Sequence, residues 1–193
     1  MKLTKKIKIG DDIYTARTSY KVALRCNQIA EDTTIDDYER ALGIICTLFG
    51  NDGLKNPNHY ERLLLWAQDY LSCGKQVEDV EDERDFDYQE DFDYIVTSFQ
   101  SDYGINLDEQ DMEWRRFYNL LNGLSNSELG NCCVLNRVRN LRTFDASIIK
   151  DNKERQKIIN SQKMVELKKY KKENHLTKEQ EESMENLNKL LGI

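Results

Sequence analysis

Residues 84–123 read RDFDYQEDFDYIVTSFQSDYGINLDEQDMEWRRFYNLLNG. Phe92, Ile95, Val96, Phe99 and Tyr103 recur at the spacing that gathers apolar side chains on one face of a helix. Gly104 closes that helix, and Asp108 is placed to cap the next, with Glu109, Asp111 and Glu113 near its positive end. Trp114, Phe117, Tyr118 and Leu121 give the second inward face, and Gly123 ends it. Two helical stripes with no strand-like alternation between them set the fold class as mainly α.

Toward the N-terminus, Lys6-Ile7-Lys8-Ile9 alternates polar and apolar residues, Gly10-Asp11-Asp12 supplies a turn, and Ile13-Tyr14-Thr15 favours extended backbone. A short β-hairpin is expected there. Thr18 or Ser19 caps a first helix with Val22, Cys26 and Ile29 on one face. Thr33-Thr34 precedes a second helix striped by Tyr38, Ala41, Leu42, Ile45 and Phe49. Asn56-Pro57 starts a third, with Tyr60, Leu63, Leu64, Ala67 and Leu71 inward and Gly74 at its end.

Toward the C-terminus, Ser125 or Ser127 starts a helix running through Leu129, Cys132, Cys133, Leu135 and Val138. From Ser147 to about Asn174 helix formers dominate but apolar positions thin out, as on a long, partly projecting helix. Thr177 with Gln180 forms a capping box before a short terminal helix edged by Met184, Leu187, Leu190 and Leu191. The expected organisation is therefore a hairpin and three-helix subdomain over 1–74, an acidic linker over 75–86, a helical subdomain over 87–145, and a charged helical arm over 146–193.

The net charge of −7 disfavours nucleic-acid binding in general. It hides an asymmetry: residues 75–113 hold fifteen Asp/Glu against two Lys/Arg, whereas residues 137–172 hold twelve Lys/Arg against four Asp/Glu. Such blocks attract each other, within one protomer or between neighbours. The five cysteines are odd in number with no Cys-x-x-Cys pair, the pattern of buried free thiols rather than of disulfides or zinc. No stretch has the length of a signal peptide core or a membrane span.

Catalytic chemistry finds no foothold. His59 and His175, the only histidines, lack partners at ligand spacing and read as surface residues. Asp85-x-Asp87 and Asp91-x-Asp93 lack the glycine and distant glutamate of a calcium loop and read as a solvated charge run. No phosphate-loop, nucleophile-elbow or dinucleotide motif occurs. A non-enzyme without metal or cofactor is expected.

Several elements together resemble one family, the Gp15 proteins of tailed phages and prophages of Gram-positive bacteria. They are the hairpin with its following helix, Leu64-Leu65-Trp66, Cys73-Gly74-Lys75, Phe86-Asp87-Tyr88, Phe99 through Leu107, and Trp114-Arg115-Arg116-Phe117. Arg137-Val138-Arg139 and Arg142-Thr143-Phe144-Asp145 extend the likeness toward Leu167. Family members often carry two tryptophans where this chain has Trp114 and Arg115, and the last twenty or so residues run past the usual end.

The resemblance implies a tail assembly chaperone, acting in the host bacterial cytoplasm on the tape-measure protein and assisting the tail-tube protein. It also implies absence from finished virions. A chaperone for a helical client needs exposed apolar or aromatic grooves. Candidate client contacts are Phe86, Tyr88, Trp66, Trp114, and Leu187, Leu190 and Leu191 on the terminal edge, which a homo-oligomer would equally cover. Trp114, with Phe117 and Tyr118, also suits a core position. The alternatives are a structural tail or connector component of the virion, and a nucleic-acid-binding regulator using residues 137–172.

Overall fold

The computed structural model describes residues 4–75, 84–126 and 132–169. Strands β1 (Thr4–Ile9) and β2 (Asp12–Arg17) pair antiparallel, with Ile9 opposite Asp12 and Gly10-Asp11 as the turn. Gly10 sits at φ +60°, a conformation that a Cβ disfavours. Alternation along the strands turns Ile7, Ile9, Tyr14 and Ala16 toward the core and leaves Lys6, Lys8, Ile13 and Thr15 outside.

Among the described residues seven α-helices follow: α1 (Tyr20–Ala30), α2 (Asp37–Phe49), α3 (Tyr60–Leu71), α4 (Phe92–Tyr103), α5 (Trp114–Asn122), α6 (Val134–Thr143) and α7 (Asn152–Val165). The fold is mainly α with an N-terminal hairpin. Ser19 caps α1, accepting from the Lys21 N–H at 3.1 Å. Asp36, rather than Thr33 or Thr34, opens α2 through a capping box with Glu39. The Asn56-Pro57 signal opens a 3-10 turn that passes into α3.

Two helix starts further along the chain differ from expectation. The helix after Gly104 starts at Trp114, capped by Glu113, and Asp108 lies in the turn before it. Helix α6 starts at Val134, later than Ser125 or Ser127. The backbone ahead of it is committed elsewhere: Ser125 N–H donates to Asp102, and Leu124 and Ser125 carbonyls accept from Asn136. The Cys133 sulfur accepts the Asn136 N–H at 3.4 Å and caps the helix.

The arm differs most. Helix α7 ends at Val165 instead of continuing to about Asn174, and the chain turns so that Leu167 is buried. The Val165 carbonyl accepts from Arg142 Nε at 2.6 Å, and the Lys168 and Lys169 N–H groups both donate to Glu90. Helix α7 itself buries no residue and lies on α6. The terminal helix expected after Thr177, with Leu187, Leu190 and Leu191, lies outside the described residues.

The residues before and after positions 76–83 share one hydrophobic core. A short antiparallel bridge between Ser19 and Glu113 joins the two stretches. Tyr20 N–H donates to Met112 O and Trp114 N–H to Thr18 O, both at 2.9 Å. The Tyr20 ring then stacks on Phe117, centroids 4.7 Å apart, and its hydroxyl donates to Leu107 O. Stacked pairs of this kind add about 0.5–1.5 kcal/mol beyond burial.

Candidate functional site

Residues 84–91 run as a strap ahead of α4, and Asp87 organises it. Its carboxylate accepts the Gln89 and Glu90 N–H groups at 2.7 and 2.9 Å, a local turn typical of aspartate. That turn directs Tyr88 against Trp114, ring centroids 5.9 Å apart, and Phe86 edge-on to Tyr88 at 4.9 Å. Phe86 and Tyr88 are each half-buried. Burial pushes the Tyr88 hydroxyl well above the ordinary tyrosine range.

The strap is fixed by charge. Arg142 forks onto Asp91, Nη1 to Oδ2 at 2.7 Å and Nη2 to Oδ1 at 2.6 Å. The same Nη1 donates to the Asp85 carbonyl at 2.8 Å. Arg139 pairs with the Asp85 carboxylate at 2.9 Å and lies over the Phe86 ring at 5.6 Å. Lys169 reaches Glu31 on the end of α1 and Asp87 on the strap. The acidic and basic blocks of the sequence thus meet within one protomer. The Asp85–Asp93 run is not uniformly solvated: Asp87 and Asp91 are buried, because Arg142 and backbone N–H groups supply what water would have.

Trp66 stands apart from the strap. It stacks on Tyr70 with centroids 5.0 Å apart and leans on Phe49, and Lys5 Nζ lies over its ring. The ring is half-buried, and its neighbour Leu65 is exposed. Among the described residues no ring contact joins Trp66 to Phe86 or Tyr88. Trp114 has only 1% of its surface exposed, and its indole N–H donates to Leu71 O at 3.0 Å. It is a core side chain, not a presented one, because α5 turns its apolar face onto Tyr20 and Phe99 through Phe117.

His59 is not a surface residue. It is half-buried against the hairpin, with Nδ1 2.8 Å from the Tyr14 hydroxyl and 3.5 Å from Asp12. His175 lies outside the described residues. Among the described residues no group of three or more His, Cys, Asp or Glu side chains is arranged to hold a metal ion, and no helix is long and apolar enough to cross a membrane.

The side chains that hold the site together, Arg142, Asp91 and Glu90, carry no signal in local periodicity. Arg142 stands out only as part of the Arg-Thr-Phe-Asp element, and its partner is 51 residues away. A family model described as Bacteriophage Gp15 protein matches residues 2–167. No curated protein and no solved structure matches the chain.

Proposed function

The chain belongs to the Bacteriophage Gp15 protein family and is a phage-related structural or assembly protein, and on that premise we propose that it is a tail assembly chaperone. In this reading it is a non-enzyme that binds the helical tape-measure protein in the host cytoplasm, assists the tail-tube protein, and leaves before the virion is complete.

The observation that carries the reading is the match over residues 2–167. The geometry adds support. Half-buried Phe86 and Tyr88 offer apolar surface on the strap, suited to the apolar face of an amphipathic helix. Half-buried Trp66 beside exposed Leu65 offers a second, separate contact.

The test is co-expression with the tape-measure protein encoded beside this chain, followed by co-purification and light scattering on a sizing column. A soluble complex that fails to form without this chain supports the chaperone role. A chain that ignores the tape measure and alone closes into a ring or tube is a structural tail component instead. Stoichiometric presence in purified virions also defeats the proposal.

A further inference from the structure

Residues 4–26 hold six basic side chains, Lys5, Lys6, Lys8, Arg17, Lys21 and Arg25, against only Asp11 and Asp12. The net +4 of this stretch stands on a chain whose net charge is −7. The fold gathers most of it on one side. Lys6 and Lys8 occupy the outer face of β1, and Arg17 ends β2 on that same face, opposite Thr4. Lys21 and Arg25 continue the row along α1, one helical turn apart.

Between α1 and α2 the row borders a cleft of about 360 Å³, lined by Arg17, Lys21, Val22, Arg25, Cys46 and Thr47. Arg17 is held in place there: its Nη2 donates to the Cys46 carbonyl at 2.7 Å, at the wall of the cleft. Among the described residues, Lys6, Lys8, Arg17, Lys21 and Arg25 form no ion pair, whereas the basic residues Arg139, Arg142 and Lys169 of the C-terminal block are all spent on carboxylates.

We propose that the Arg17, Lys21 and Arg25 cleft, with the outer face of the hairpin, is a docking surface for an acidic helical segment of a partner protein. Carboxylates on successive turns of that segment match the 17, 21, 25 row. One apolar side chain enters the cleft against Val22 and the Cys46 sulfur. The long-range repulsion of a net-negative chain disfavours a nucleic acid here, and the apolar floor gives a phosphate backbone nothing to fill. The surface is distinct from the strap and from Trp66, and it does not depend on which tail protein the chain serves.

The probe is a fluorescein-labelled helical peptide with Glu on successive turns and one Leu between them. The measurement is anisotropy against the whole chain, beside a Gln-for-Glu peptide and a single-stranded DNA of equal charge. Saturable binding of the acidic peptide is expected. It should weaken more than tenfold in the Arg17→Glu/Lys21→Glu/Arg25→Glu variant, whose fold is checked by circular dichroism. Bound peptide should also slow alkylation of Cys46, read by mass spectrometry, while leaving half-buried Cys132 unaffected. Equal binding by the triple variant, equal binding of the Gln peptide, or tighter binding of the DNA overturns the proposal. So does a self-association that the triple variant abolishes, since the occupant is then a second copy.

Discussion

Asp91 has no exposed surface, and both of its carboxylate oxygens are taken by the two arms of Arg142. A buried carboxylate is tolerated only while this fork and the Asp87 N–H at 3.1 Å satisfy it. Arg142→Ala strands the charge, and the expected loss of stability is about 3–5 kcal/mol. Arg142→Met combined with Asp91→Leu removes both charges and is expected to recover much of that loss. Urea denaturation of the three proteins decides it. A small effect of Arg142→Ala alone would mean that water reaches Asp91.

Asp102 predicts a pH dependence. Its Oδ2 accepts the Ser125 backbone N–H at 2.8 Å, and chiefly that bond holds its carboxyl below the ordinary 3.8. The folded state therefore binds this proton more weakly than the unfolded chain does. The stabilisation is fully present above pH 3.8 and is lost as pH falls through the lower folded-state value. The gap in urea midpoint between the wild type and Asp102→Ala is expected to be steady near neutrality and to close below that range. A gap unchanged in acid rules the bond out as its source.

Gly53 is required for space. A Cβ there would lie 2.8 Å from both Ile45 Cγ2 and Phe49 Cβ, inside the core of α2. Gly53→Ala is expected to cost about 1–3 kcal/mol through overpacking and to lower Tm by several degrees. Scanning calorimetry checks it, and an unchanged Tm shows that the turn after α2 shifts freely.

The two tryptophans are expected to report different surroundings. Trp66→Phe leaves Trp114, which is 1% exposed, so its emission should be blue and resist acrylamide. Trp114→Phe leaves half-buried Trp66, which should emit further to the red and quench more readily. Similar quenching in both variants contradicts the packing around α5.

The hairpin and most of the stripes of α2, α3 and α4 are visible in the sequence because each rests on local periodicity and nearby caps, but Tyr38, placed in the α2 stripe by its spacing, is 65% exposed. Gly104, with φ of +65°, ends α4 as glycines commonly do, whereas α3 is capped by Ser72, and Cys73, not Gly74, takes the left-handed position next to the cap at φ +55°. The later boundaries depend on distant partners. Val165 ends α7 beside Arg142, and Ser125 is drawn to Asp102, so neither limit is written in its own neighbourhood. The aspartates of the strap show the same gap. A solvated charge run and a run half neutralised by a guanidinium have the same composition, and only the fold distinguishes Asp91 from Asp93. The basic row from Lys6 to Arg25 is masked by the acidity of the whole, and it emerges once β1, β2 and α1 place it on one side.

The bridge at Ser19 and Glu113 also orders the chain in time. Tyr20 finds its ring partner and its carbonyl acceptor only at Phe117 and Leu107. A nascent chain with its first three helices outside the ribosome has α2 against α1, but the Tyr20 face of α1 that α5 covers is still open to water. More than forty further residues must emerge before that face closes. Early termination products ending after α3 are therefore sticky, and the protein as synthesised is vulnerable to aggregation until α5 is out.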